Sequence, residues 1–144
     1  MKHLILGAGP AGVIAAETLR KHAPEDEIVV LGDEIEAPYS RMAIPYLLSG
    51  KVGEEGTLLR RGVDHFASLG ITIRHGRIRR VDTAQRQVEL DDGSHVGYDR
   101  LLIATGSSPS APPIPGIDGP GVHPCWTLAD ARAIARASAR VQQG

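Results

Sequence analysis

The stretch that most restricts what this chain can fold into is residues 4–12, Leu-Ile-Leu-Gly-Ala-Gly-Pro-Ala-Gly. A short apolar run enters a turn whose glycines, Gly7, Gly9 and Gly12, have the spacing G-x-G-x-x-G, and a helical pattern follows. Each glycine has a mechanical task in such a strand–turn–helix. Gly7 permits the tight turn, Gly9 lets the backbone approach a pyrophosphate, and Gly12 lets the helix pack close on the strand. The helix start at Pro10, Ala11 and Gly12 offers free N–H groups and the positive end of the helix dipole to an anion. Pro10 forfeits no hydrogen bond in that first turn. The competing reading is a tight strand-to-helix turn with no ligand.

The pattern around the loop predicts an α/β fold. Residues 3–6 read as a buried strand and 10–22 as a helix, with Val13, Ala16 and Leu19 at helical spacing and Pro24 ending it. Residues 27–32, Glu-Ile-Val-Val-Leu-Gly, are continuously apolar in the manner of a parallel strand covered on both faces. Residues 33–56 read as an ordered loop with a short helix around 42–49. A helix near 62–69 stopped by a C′ glycine, Gly70, and a strand at 71–75 make a second βαβ step. The period then changes: 77–81 and 86–90 alternate, 91–94 form a turn, and 95–99 complete a small antiparallel meander. Residues 100–106, Arg-Leu-Leu-Ile-Ala-Thr-Gly, return to the style of a central strand. Five prolines and three glycines between 107 and 121 mark an extended linker. A last helix over 127–141 opens with Thr127 and Asp130 in the arrangement of a capping box.

Composition narrows the classes of function. With 144 residues, one domain is the default. Sixteen basic and 17 acidic residues give a net charge of −1, so no global field attracts nucleic acid or an anionic membrane. The N-terminus lacks the apolar core of a targeting segment. No run approaches the roughly 18 apolar residues of a membrane span. The one cysteine, Cys125, excludes an intrachain disulfide and any paired-thiol redox motif. A cytoplasmic, non-membrane protein is the expectation.

A dinucleotide-binding βαβ unit should carry a ribose-binding acid about 20 residues past its loop. Asp33 and Glu34 stand there, displaced because Gly32 takes the usual position; either could serve, or both could be solvated loop charges. Cys125 reads as a buried small hydrophobe, and Trp126 as an anchor for the last helix. The six histidines share no metal-ligand spacing, so no metal is expected. The basic stretch 75–80 reads as a solvated sheet face.

Three stretches carry a family resemblance: Gly7–Gly12; residues 31–50, which contain Pro-Tyr-Ser-Arg at 38–41; and residues 98–118, in which Ala-Thr-Gly precedes the proline-rich segment. Together they resemble the FAD-binding portion of the pyridine nucleotide-disulfide oxidoreductase superfamily, in its ferredoxin, rubredoxin and nitrite reductase branch. The resemblance implies a Rossmann-like FAD-binding domain over residues 1–106 with the β-meander at about 77–98. A Pro/Gly-rich linker at 107–126 and a helix at 127–144 would lead toward a missing NAD(P)H domain. It further implies that Gly7, Gly9, Pro10, Ala11 and Gly12 cradle the FAD pyrophosphate and that Asp33 or Glu34 meets the ribose. Arg41 would lie along the FAD between phosphates and ring, Ile78 would meet adenine through its backbone, and Ala104, Thr105 and Gly106 would pass beside the dinucleotide. For Arg41, a surface ion pair is the alternative.

The reactive cysteine of disulfide-active members has no counterpart in residues 40–46, where Met42 stands near its place. The implied activity is electron passage from NAD(P)H through FAD to an acceptor such as ferredoxin, rubredoxin or a nitrite reductase centre, with no thiol relay and no catalytic side chain in this segment. The alternatives are an NAD-dependent dehydrogenase domain and a non-catalytic dimerisation or docking module. An unfinished sheet edge would favour self-association into a homo-oligomer.

Overall fold

A computed structural model describes residues 1–62 and 64–141, and the chain divides into two compact units. Met1–Tyr39 and Leu59–Gly106 form the first; Ser40–Leu58 and Ser107–Gly144 form the second. Residues 40–58, expected within a domain 1–106, are thus grouped with the C-terminal part of the chain.

The first unit is built on a parallel sheet of order β3-β2-β1-β7, comprising β1 (Lys2–Leu6), β2 (Glu27–Gly32), β3 (Ile71–His75) and β7 (Arg100–Ile103). Register pairs Leu4 with Val29 and Leu101, and Leu6 with Leu31 and Ile103. Side chains alternate across a strand, and here both faces are covered. Leu4, Leu6, Val29 and Leu31 pack with Val88, Leu90 and Val96 of the antiparallel sheet β4 (Ile78–Asp82), β5 (Gln87–Leu90) and β6 (His95–Gly97). Ile5, Ile28 and Val30 pack on the other face with Ala16 of α1 (Pro10–His22). That double burial is why the strands read as continuous apolar runs rather than alternating ones.

Several boundaries differ from the sequence reading. The strand at 100–106 stops at Ile103 and is an edge strand, not a central one, because β1 is its only partner among the described residues; Leu102 and Ile103 stand exposed. The helix expected at 62–69 is a single turn, α3 (His65–Ser68), with position 63 outside the described residues. Gly70 does follow it at φ +64, the left-handed conformation a C′ glycine supplies.

In the second unit, a 3₁₀ turn (Arg41–Ala43) leads into α2 (Ile44–Leu48), and a second 3₁₀ turn spans Glu54–Thr57. The last helix is α4 (Leu128–Val141); the expected end at 144 lies outside the described residues. Ile44, Thr57, Leu128 and Ala131 are buried. The capping box forms as the spacing requires: the Trp126 and Thr127 amides donate to Asp130 Oδ2 at 3.0 and 2.8 Å, and the Asp130 amide donates to Thr127 Oγ1 at 3.1 Å. Residues 107–127 carry turns but no helix or strand. Cys125, read as buried, is exposed, because it lies in this irregular stretch rather than on a core-facing element.

Candidate functional site

The strand order makes a place where chain direction diverges: β2 and β3 lie on one side of β1, β7 on the other. In open parallel sheets, ligands bind outside the carboxyl ends of the strands at such a switch point. Gly7 follows β1 and Ala104 follows β7, so the two loops meet there. The Ala104 amide donates to the Leu6 carbonyl at 2.7 Å, and the Gly7 amide to the Leu31 carbonyl at 2.7 Å.

The three glycines of the motif are explained differently. Gly7 has φ +109, and a Cβ on it would lie 2.2 Å from the Ala104 carbonyl oxygen. A Cβ on Gly12 would lie 1.9 Å from the Gly7 carbonyl oxygen. Both are demanded by packing inside the unit. Gly9 is not: it has φ −77, open to any residue, and a Cβ there would meet nothing within 4 Å. Gly9 caps α1, whose first-turn amides have no intrahelical acceptor and whose first turn holds no carboxylate. A bare backbone at the positive end of a 13-residue helix fits an approaching pyrophosphate. Gly106, at φ +70, is likewise clear of protein atoms within 4 Å.

Asp33 and Glu34 follow β2 directly. Gly32 is buried within that strand, where a Cβ would come 3.0 Å from that of Ala8, so the position an acid usually takes is tightly packed. Asp33 is exposed, and its carbonyl accepts from His75 Nε2 at 3.1 Å. Glu34 Oε2 accepts from the buried Tyr39 hydroxyl at 2.6 Å. The Gly76 amide donates to the Gly32 carbonyl at 2.8 Å, which brings the segment leading to Ile78 across the end of β2. Ile78 itself packs its side chain on the core. A cavity of about 660 Å³ opens beside these residues, between Ala8, Gly32, Glu34 and the stretch from Ile71 to His75.

The structure therefore gathers the Gly7–Gly12 loop, Asp33, Glu34, Ile78 and Ala104–Gly106 in one unit. Arg41 stands in the other, with Cζ 4.8 Å from the ring centre of Trp126. Tyr39 and His75, which hold the acid loop, were not singled out from the sequence; the only signal was that Tyr39 adjoins the Pro-Tyr-Ser-Arg motif. Among the described residues no cluster of three or more His, Cys, Asp or Glu could hold a metal ion.

The family profile of the pyridine nucleotide-disulphide oxidoreductases matches residues 1–142. The chain belongs to that family. It is 38% identical over 143 residues to the NADH-dependent phenylglyoxylate dehydrogenase subunit epsilon of Aromatoleum evansii, covering 99% of this chain and 34% of that protein. It is 36% identical over 135 residues to the biphenyl dioxygenase system ferredoxin–NAD(+) reductase component of Paraburkholderia xenovorans, covering 92% and 33%. A NAD-dependent persulfide reductase from A. fulgidus superposes with a TM-score of 0.89 at 27% identity, over 97% of this chain and 27% of that one. The chain thus spans about a third of the length of the curated relatives it matches. FAD and NAD(P)H are typical of this family.

Proposed function

We propose that this chain is the FAD-binding portion of an NAD(P)H-dependent flavoprotein oxidoreductase. Gly7, Gly9, Pro10, Ala11 and Gly12 hold the pyrophosphate, and Asp33 or Glu34 accepts from a ribose hydroxyl beside the cavity over β2. The Ile78 backbone faces adenine, Ala104, Thr105 and Gly106 flank the dinucleotide, and Arg41 meets it between phosphates and ring. Bound FAD supplies electron acceptance from reduced nicotinamide and release to an acceptor. The chain's own groups bind and orient; no side chain here acts as nucleophile or general base. Cys125 is the one cysteine and lies outside residues 40–46, which supports electron passage without a thiol relay.

The observation that carries this reading is Gly9. Packing inside the unit accounts for Gly7 and Gly12, whereas a Cβ on Gly9 would meet no protein atom within 4 Å, so its bare backbone at the start of α1 leaves room for a pyrophosphate that approaches from outside. The names of the relatives support a nicotinamide donor and, for one of them, a ferredoxin acceptor. We place the NAD(P)H site in sequence beyond this chain and the acceptor among ferredoxin, rubredoxin or a nitrite reductase centre. We place the protein in the cytoplasm, able to self-associate along the edge of β7, which among the described residues pairs only with β1. Among the described residues no helix is long and apolar enough to cross a membrane.

The test is a visible spectrum of the purified protein after FAD addition and gel filtration. Retention of about one flavin per chain is expected for a single site of this kind. A colourless protein that ignores added FAD would remove the reading and favour a docking module; retention of NAD(H) instead would favour a dehydrogenase domain.

A further inference from the structure

Two hydrogen bonds run from the end of β3 to the end of β2, and they land on consecutive carbonyls. The Gly76 amide donates to the Gly32 carbonyl at 2.8 Å, and His75 Nε2 lies 3.1 Å from the Asp33 carbonyl oxygen. All four residues belong to the first unit, and Gly32 stands opposite His75 in the β2–β3 register. A carbonyl oxygen only accepts, so the imidazole donates, with the hydrogen on Nε2.

The two carbonyls flank one Cα. The Gly32 carbonyl belongs to the rigid peptide plane before Asp33, and the Asp33 carbonyl to the plane after it. Fixing both planes fixes φ and ψ of Asp33, and with them the direction in which its Cβ leaves the backbone. The first bond is main chain to main chain, and any residue except proline at position 76 could make it. The second depends on the side chain at position 75. Asp33 itself is exposed. Glu34 answers to a different tie, the Tyr39 hydroxyl 2.6 Å from its Oε2. An exposed acid on an unrestrained loop would have to be ordered when a ligand binds, at a cost in free energy that a preorganised backbone reduces.

We infer that His75 is a positioning residue for Asp33: by holding the Asp33 carbonyl it sets the backbone from which the carboxylate reaches a ribose hydroxyl of the dinucleotide. This rests on the reading above that an acid after β2 meets the ribose, and it names Asp33 as that acid. His75 touches no ligand in this role; it acts through the peptide it holds.

The experiment measures FAD affinity by flavin fluorescence, and displacement of FAD by ADP and by 2′-deoxy-ADP. It uses the wild type, His75→Leu, His75→Ala, His75→Gln and Asp33→Asn, with thermal melts of each. Leu and Ala both remove the donor, one filling the space and one not; Gln keeps an N–H donor at a similar reach. ADP carries the ribose and a diphosphate, and 2′-deoxy-ADP lacks only the hydroxyl that such an acid accepts from. The wild type is expected to prefer ADP about tenfold, the size of a hydrogen bond to a charged acceptor. His75→Leu and His75→Ala should weaken FAD binding about three- to fivefold and cut that preference to about threefold or less, with 2′-deoxy-ADP bound as by the wild type. His75→Gln should keep the preference. A role confined to folding would weaken both nucleotides alike and leave the preference where it was. If both donor-less variants keep the wild-type preference, the positioning role is wrong while the FAD reading stands. If Asp33→Asn keeps it, or the wild type shows none, Asp33 does not meet that hydroxyl and the inference falls, while FAD retention still upholds the wider reading. If the wild type retains no FAD, the underlying reading fails and this inference with it.

Discussion

The carbonyl oxygen of Ala104 occupies the space that a side chain on Gly7 would need: a Cβ there would lie 2.2 Å from it. The loop after β1 and the loop after β7 thus close on each other through one residue with no Cβ. Replacing Gly7 with Ala adds this clash to a backbone at φ +109 that L-residues rarely adopt. We expect a loss of about 4 kcal/mol, strain and overpacking together. A urea titration should show a lower midpoint with an unchanged slope.

Gly9→Ala should separate binding from folding. Its Cβ meets nothing and its φ is ordinary, so the cost is that of a poorer helix cap, about 1 kcal/mol or less. FAD retention should nevertheless fall by about tenfold or more, because the methyl group enters the space where the pyrophosphate would approach. A stable Gly9→Ala protein with wild-type FAD affinity would contradict the assignment of this loop.

Glu17 on α1 receives Arg60 Nε and Nη2 at 2.7 and 2.6 Å and His65 Nε2 at 2.8 Å. The Arg60 hydrogen bonds hold its carboxyl below the ordinary value of 4.5; burial opposes them, and His65 assists. A carboxyl depressed in the folded state contributes stability above its unfolded value and loses it as pH falls through the folded one. Glu17→Gln should therefore cost about 1–2 kcal/mol at neutral pH, the scale of a charged hydrogen-bond pair. The stability difference between variant and wild type should shrink as pH drops below 4.5. Urea midpoints across that range measure both.

Asp130→Ala removes the acceptor of two backbone amides at the start of α4. A lost cap costs about 1–2 kcal/mol, expected as a lower thermal midpoint. Because the same carboxylate fixes the backbone of Trp126, tryptophan emission should change in this variant at temperatures where circular dichroism still reports a folded protein.

Much of the fold was legible in the chain because its signals are local. The apolar runs at 3–6 and 27–32, the glycines of the first loop, the alternation at 77–81 and 86–90, the C′ glycine Gly70 and the Thr127–Asp130 box are each signals that span a few residues. They gave the parallel βαβ sheet, the meander and the capped last helix. The candidate site was only partly legible as local pattern. The Gly7–Gly12 loop could be read directly, whereas Tyr39 and His75, which brace the acid loop, carry no spacing that announces them.

What the sequence alone determined, then, is the element order and the loop chemistry, since hydrophobic period and turn glycines are properties of short windows. Only the tertiary structure decided that β7 is an edge with Leu102 and Ile103 exposed, that Cys125 faces solvent, that residues 40–58 group with 107–144, and that Arg41 stacks on Trp126. Each of these depends on which distant segment fills a given space, and a local pattern of apolar and polar residues specifies that a face must be covered without specifying by what.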